Sequence, residues 1–380
     1  MSRPRMRISS KCAVSPSWLA WIVALVCGHL HVHAFQGSGN MFESDSTGHR
    51  QHRASHRRRI LLRAALCGAV LPAPFVALAQ QPKVWRIGFL ASDSSSTRVY
   101  DGFQQGMREL GYVQGKNCSI EWRFADGRYE RLPSLAAELV RSKVDVIVAG
   151  TALSVQAAHQ ATATIPIVMV AVPDPIGEGF AKSLSRPGGN ITGLTNIVTE
   201  ISVKHLELLR IAVPKLARVA VLINPLNPSD SLILEQIQGA AFSIGVKVIS
   251  VEASTAKQIE AGFAAMIRER TQALIVAADS YFDVQRGQIA KLASDNHLPA
   301  ISSNREMTEA GALMSYGQDL GEHYRRAASY VDKILKGAKP GELPIEQPTV
   351  LKLVINGKTA KALGLAIPQE LVLRADRVID

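Results

Sequence analysis

The chain has 380 residues, 47% of them hydrophobic and 20% charged, which is enough apolar material for two buried cores rather than one. Its formal charge of +11 suggests a nucleic-acid partner, but the first 79 residues hold ten Lys/Arg and two Asp/Glu, so residues 80–380 keep 33 and 30. That near-neutral body excludes nucleic acid, and Cys118, the sole cysteine after residue 79, leaves neither a disulfide framework nor a cysteine metal site.

The basic N-terminal region reads as an export signal. A basic stretch over 53–63 precedes an apolar run over 64–78, and Ala77-Leu78-Ala79 supplies the small-x-small pattern for cleavage after Ala79. Arg57-Arg58-Arg59-Ile60-Leu61 fits a Sec or a twin-arginine signal. Pro72 and Pro74 break the run, which is too short to span a bilayer. Upstream, the apolar stretch 18–30 with His29, His31 and His33 is either a zinc-ligand cluster or an extension of the gene model. Translation from Met41 is the simpler reading, because two export signals in series have no physical use. A periplasmic location is expected.

Beyond residue 80, short apolar runs alternate with amphipathic stretches, the pattern of parallel sheets with crossover helices. Strands are predicted at 85–90, 119–124, 144–149, 167–171 and 191–194, then at 219–223, 246–251, 273–277, 300–302, 313–315 and 351–355. Helices are predicted at 100–110, 132–142, 204–211, 232–244, 258–268, 284–296 and 322–335, with Gly111 and Gly245 as left-handed C-caps.

The two series resemble each other. Residues 136–149, AAELVRSKVDVIVA, align without a gap on 264–277, AAMIRERTQALIVA. Leu110-Gly111-Tyr112 parallels Ile244-Gly245-Val246, and Ile165-Pro166-Ile167 parallels Leu298-Pro299-Ala300. Recurrence in one order predicts two copies of an α/β unit, packed as two Rossmann-like lobes. Ligands of such sheets bind beyond the carboxyl ends of the strands.

The loops at those ends are small and polar. After the first strand, Ala91-Ser92-Asp93-Ser94-Ser95-Ser96-Thr97 has no glycine before Gly102, so no dinucleotide fingerprint exists. Asn356-Gly357-Lys358-Thr359 lacks the first glycine of a phosphate loop, Lys352 standing there, and reads as a polar turn into the last helix. His159, His205, His297 and His323 are scattered on helical patterns and read as surface residues. No nucleophile elbow or metalloprotease motif occurs, so no catalytic set, metal site or cofactor is expected. Asp174 and Asp279 fall at what read as corresponding strand ends of the two lobes, with Pro173 and Pro175 stiffening the Asp174 loop and a helix expected to start there.

The segments Val172-Pro173-Asp174-Pro175-Ile176-Gly177 and Ser183-Leu184-Ser185-Arg186-Pro187-Gly188-Gly189-Asn190-Ile191-Thr192-Gly193 resemble the signature of the ABC-transporter substrate-binding proteins, in the group that includes tryptophan/tyrosine-type binding proteins. Gly311-Ala312-Leu313-Met314-Ser315-Tyr316-Gly317 and Tyr330-Val331-Asp332-Lys333-Ile334-Leu335-Lys336-Gly337 resemble further segments, and the likeness runs over 83–380. It implies the type I periplasmic binding fold, with parallel sheets joined by hinge strands. Residues 80–196 plus about 318–345 would form lobe one, and 197–317 plus about 346–380 lobe two. The implied contacts are Ser92, Asp93, Ser94, Thr151, Asp174 and Asn196 from lobe one, and Asn224, Asp279, Ser280, Ser303 and Tyr316 from lobe two, with Asn304 beside Ser303. Tyr281 and Tyr316 would stack on an aromatic or planar ligand. A monomer that captures a small molecule, possibly an amino acid, for an ABC permease and ATPase is expected, meeting the membrane only through the permease. A periplasmic sensing subunit is the alternative, and a hydrolase or transferase a more distant one.

Overall fold

The computed structural model of the chain describes residues 83–94 and 99–380. The export segment, the upstream histidines and residues 95–98 lie outside them. Five strands, β1 (Trp85–Ala91), β2 (Cys118–Phe124), β3 (Val146–Thr151), β4 (Ile167–Val172) and β5 (Ile191–Thr195), form an all-parallel sheet in the order β2-β1-β3-β4-β5. Seven more, β6 (Arg218–Ile223), β7 (Lys247–Glu252), β8 (Ala273–Val276), β9 (Ala300–Ser302), β10 (Met314–Gln318), β11 (Leu351–Asn356) and β12 (Arg377–Ile379), form a second sheet in the order β12-β11-β10-β9-β8-β6-β7. Only β10 and β11 pair antiparallel among them. The run β7-β6-β8-β9-β10 repeats the order of the first sheet, so the internal likeness of the sequence is a likeness of topology.

Helices cover both faces of each sheet, which is why the strands read as unbroken apolar runs. On lobe one, α1 (Val99–Glu109) lies on one face, and α2 (Leu132–Arg141) and α3 (Ala152–Ala161) lie on the other. On lobe two, α4 (Val198–Ala212) and α5 (Pro228–Ser243) cover one face. The opposite face carries α6 (Ala256–Arg268), α7 (Ser280–Val284), α8 (Arg286–Asp295) and α9 (Arg305–Glu309). The predicted helix at 284–296 is α8, and the short α7 that precedes it across Gln285 was not predicted.

After β10 the chain returns to the first sheet as α10 (Leu320–Leu335), which packs beside α1. Their backbones approach so closely that a Cβ on Gly102 or Gly106 would meet the carbonyls of Gly321 and Arg325. The segment behind α10 joins β5 through Thr195 N–H on the Glu346 carbonyl at 2.9 Å, then crosses to β11. α11 (Gly357–Ala362) and α12 (Gln369–Arg374) complete lobe two. Three crossings thus link the lobes, after β5, after β10 and before β11. No helix among the described residues is long and apolar enough to cross a membrane.

Gly111 and Gly245 have φ of +88° and +69° just past α1 and α5, as a left-handed C-cap requires. Other expectations need correction. Asp174 heads no helix: its Oδ1 accepts from the Gly177 N–H at 2.8 Å in a tight turn, because Pro175 and four residues of turn leave no room for a helical ladder. The gap-free alignment makes Thr151, not Asp174, the counterpart of Asp279, and each N-caps the helix after the third strand of its lobe. His205 and His323 are not surface residues. They are 2% and 8% exposed, with Nε2 on the carbonyls of Tyr316 at 2.7 Å and Thr195 at 2.9 Å. Asn356 caps α11, and that helix is not the last.

Candidate functional site

The carboxyl ends of both sheets face a common cleft, with a cavity of about 340 Å³ lined from both lobes. Lobe one contributes the loop after β1, the start of α3 and two tyrosines. Ser92 and Thr151 hydroxyls meet at 2.7 Å, and the Thr151 oxygen also caps Ser154 N–H. Tyr100 donates its hydroxyl to Asp93, and Tyr324 lines the same wall. Lobe two contributes Ser280, Asp283 and Arg286 from α7 and α8, and Asn304 and Glu306 at α9. A smaller arm of about 100 Å³ shares Thr151, Ser280, Asp283 and Asn304 with the main cavity and extends to Asn196, Ser303 and Gln318.

Asp279 is 3% exposed and surrounded by donors. Its Oδ1 accepts from Asn224 Nδ2 at 3.1 Å and from the N–H groups of Tyr281 and Phe282 at 3.0 and 3.3 Å. Its Oδ2 accepts from Asn227 Nδ2 at 3.0 Å and from the Tyr129 hydroxyl at 2.5 Å. Tyr129 belongs to lobe one, so this last bond joins the lobes directly across the cleft. Burial, and then the Asp279 charge, hold the Tyr129 hydroxyl firmly protonated, as a donor must be. Asp230 lies behind, fully buried, bridged to Asp279 by the Asn227 amide at 2.9 Å. Burial raises both carboxyls, and Asp230, beside the Asp279 charge, is the one with fewer donors to sustain a charge. Asp279 is thus a satisfied cap and closing contact.

Asp283 stands one helical turn after Asp279 and faces the cavity. Both its oxygens accept from Asn304 Nδ2, at 2.8 and 2.7 Å. Its side chain is half-buried by area yet ringed by protein. Burial pushes its carboxyl up to about 8, helped by the charges of Asp93, Glu306 and Asp279 and opposed by Asn304.

The cleft therefore brings together Ser92, Asp93, Thr151, Asn196, Asp279, Ser280 and Ser303 of the residues predicted from sequence, with Asn304. Ser94 and Asn224 are not in its lining, and Asn224 acts from behind Asp279. Asp174 is exposed in its turn, away from the lining. Tyr316 lies within β10, opposite Leu353, and packs on the core of lobe two. Tyr281 packs against Gly127 in the seam between lobes. Aromatic contact in the cavity falls to Tyr100 and Tyr324 instead. Sequence reading missed Tyr100, Tyr129, Asp283, Arg286, Gln318 and Tyr324. The i, i+4 spacing from Asp279 to Asp283 was a signal for one of them, and the matching ends of β5 and β10 a signal for Gln318.

A two-lobed α/β chain with a polar cleft at its hinge has many uses. The ABC transporter substrate-binding protein family profile matches residues 86–379. The chain belongs to that family. A tyrosine-binding protein of Clostridioides difficile (strain R20291) is 28% identical over 279 residues, 73% of this chain and 80% of that protein. A Streptococcus pneumonia ABC domain solved in complex with L-Trp is 26% identical, with a TM-score of 0.71 over 78% of this chain and all of that one. The ligand-free, open structure of a Clostridium difficile substrate-binding protein with adhesive properties is also 26% identical, covering 78% of this chain and 99% of that one, but its TM-score is 0.57. At equal identity, this chain departs further from the open relative. The direct Tyr129–Asp279 bond between lobes accords with a closed arrangement.

Proposed function

We propose that this protein captures an amino acid in the interlobe cleft and delivers it to an ABC importer, without catalysing any reaction. The observation that carries the reading is the cavity itself. At about 340 Å³ it sits at the small end of the range for small-molecule sites, and both lobes contribute polar groups to it. The Tyr129–Asp279 contact closes the lobes over it. Tyr100 and Tyr324 line its wall for contact with an apolar or aromatic side chain, and the Thr151 hydroxyl at the start of α3 offers a donor for a carboxylate. The tyrosine-binding relative and the relative crystallised with L-Trp support an amino-acid ligand. The chain works in the periplasm after cleavage following Ala79, as a monomer that meets the membrane through its permease. Native mass spectrometry of freshly purified protein, followed by calorimetry with the twenty L-amino acids, tests the reading. Expected is one amino acid, or a related few, bound at one site per chain. Binding of none, or turnover of a bound compound, defeats it.

A further inference from the structure

Three residues that carry acceptors, Asn196, Asp283 and Gln318, line the smaller arm of the cleft together. Asn196 follows β5 and Gln318 ends β10, so each lobe presents one amide from its fifth strand. Asn196 Nδ2 donates to the Ala171 carbonyl at 3.3 Å, which fixes the orientation of the amide, since the opposite one would set two oxygens face to face. Among the described residues its Oδ1 then has no donor, although the residue is only 9% exposed. Gln318 Oε1 is likewise buried without a donor among the described residues. Asp283 is the third, and among the described residues only the neutral Asn304 amide donates to its two oxygens. Buried acceptors are almost always paired, and unpaired ones are costly. Two on one small cavity, one from each lobe, are accounted for when a ligand supplies donors.

We propose that Asn196 Oδ1, Gln318 Oε1 and the Asp283 carboxylate form a seat for the ammonium group of the ligand. An ammonium carries three donors and no acceptor. A ligand carboxylate placed here would instead face two amide oxygens and an acid. The charged groups around Asp283 agree: Asp93 from the loop after β1, Glu306 on α9 and Asp279 all act to raise its carboxyl. The nearby guanidinium of Arg286 donates to the Asp283 backbone carbonyl at 2.7 Å. A ligand ammonium would supply the cation that lets Asp283 give up its proton and carry a charge. This inference rests on the reading of the cleft as a small-solute site, and it names which part of the cleft takes the amino end of the solute.

The test uses the purified exported protein and three single variants, Asn196→Leu, Gln318→Met and Asp283→Asn. Calorimetry is run with whichever L-amino acid binds and with its des-amino acid. Thermal protection is measured with butylammonium chloride against sodium butyrate at equal ionic strength. Expected are loss of roughly tenfold or more in affinity in each variant, no binding of the des-amino acid, and protection by butylammonium but not butyrate. Ligand-free Gln318→Met should melt no lower than wild type, because the oxygen it removes has no protein donor. A lower melting temperature would show a structural bond and overturn the seat. If an amino acid binds with the same affinity in all three variants, the seat is wrong and amino-acid capture survives. If no amino acid binds, yet butylammonium protects wild type and not Gln318→Met, the seat stands and amino-acid capture fails. Equal protection by butylammonium and butyrate overturns the seat.

Discussion

Substituting Tyr129 by Phe deletes one oxygen and leaves the half-buried ring in place. In the closed arrangement that oxygen donates to Asp279 Oδ2 at 2.5 Å, a length typical of a hydroxyl on a charged carboxylate, and accepts from Tyr281 N–H at 3.3 Å. With the lobes apart, both groups return to water, so the bond biases closure alone. A hydrogen bond to a charged group contributes about 1.5–3 kcal/mol, which is roughly tenfold to a hundredfold in the ratio of closed to open protein. Ligand held only in the closed state loses apparent affinity by up to the same factor. Tyr129→Phe is therefore expected to raise Kd about tenfold or more, and to increase the radius of gyration of ligand-free protein in small-angle scattering. Its melting temperature should change little, since Asp279 keeps four donors within lobe two. Affinity within twofold of wild type, with unchanged scattering, would refute the latch.

Three further outcomes follow from the same geometry. Asp174→Asn should leave ligand affinity within twofold by calorimetry, because its exposed carboxylate serves only the Gly177 N–H in its turn. Burial lowers the pKa of His205 from 6.5 to about 4, so the unfolded chain takes up a proton before the folded one does. Stability should therefore fall as pH drops from about 6.5 to 4, by at most about 3 kcal/mol, and urea melts of His205→Gln should lack that part of the slope. N-terminal sequencing of periplasmic protein should begin at Gln80, and a mature chain retaining Arg57 would rule out cleavage after Ala79.

The strands were legible because burial on both faces writes them as continuous apolar runs, and ten of the eleven predicted lie within two residues of their observed bounds. The exception, predicted at 313–315, runs on to Gln318 and carries Tyr316 into the sheet. β12, three half-exposed residues at the sheet edge, has no such run. α3 was missed for the opposite reason: its sequence, ALSVQAAHQA, has almost no apolar stripe, and its Thr151 cap was read as a ligand contact. The family resemblance named Ser92, Thr151, Ser280 and Ser303, and each lies at or just past a strand end, where the topology of such sheets puts ligand contacts. Topology could not find Tyr129, which reaches Asp279 only through lobe closure, across 150 residues of chain. Asp174 stood out by motif, but a motif records a turn as readily as a contact.

The two aspartates after β8 divide one task. Asp279 is the helix cap, so its carboxylate is held at the strand end, where donors from its own lobe leave one direction open and Tyr129 fills it. Asp283, four residues on, is carried by one helical turn to the cavity side, where only Asn304 meets it. Closing the lobes completes both arrangements at once: it brings Tyr129 to Asp279, and it sets Asn196 and Gln318 on one arm with Asp283. A ligand and the latch therefore bias the same movement independently, and their contributions to closure should add. With the latch alone, closure leaves the Asn196 and Gln318 oxygens without a donor among the described residues. With an amino group inside, the unpaired oxygens and the Asp283 carboxylate gain partners in the same step, which gives closure its dependence on the ligand.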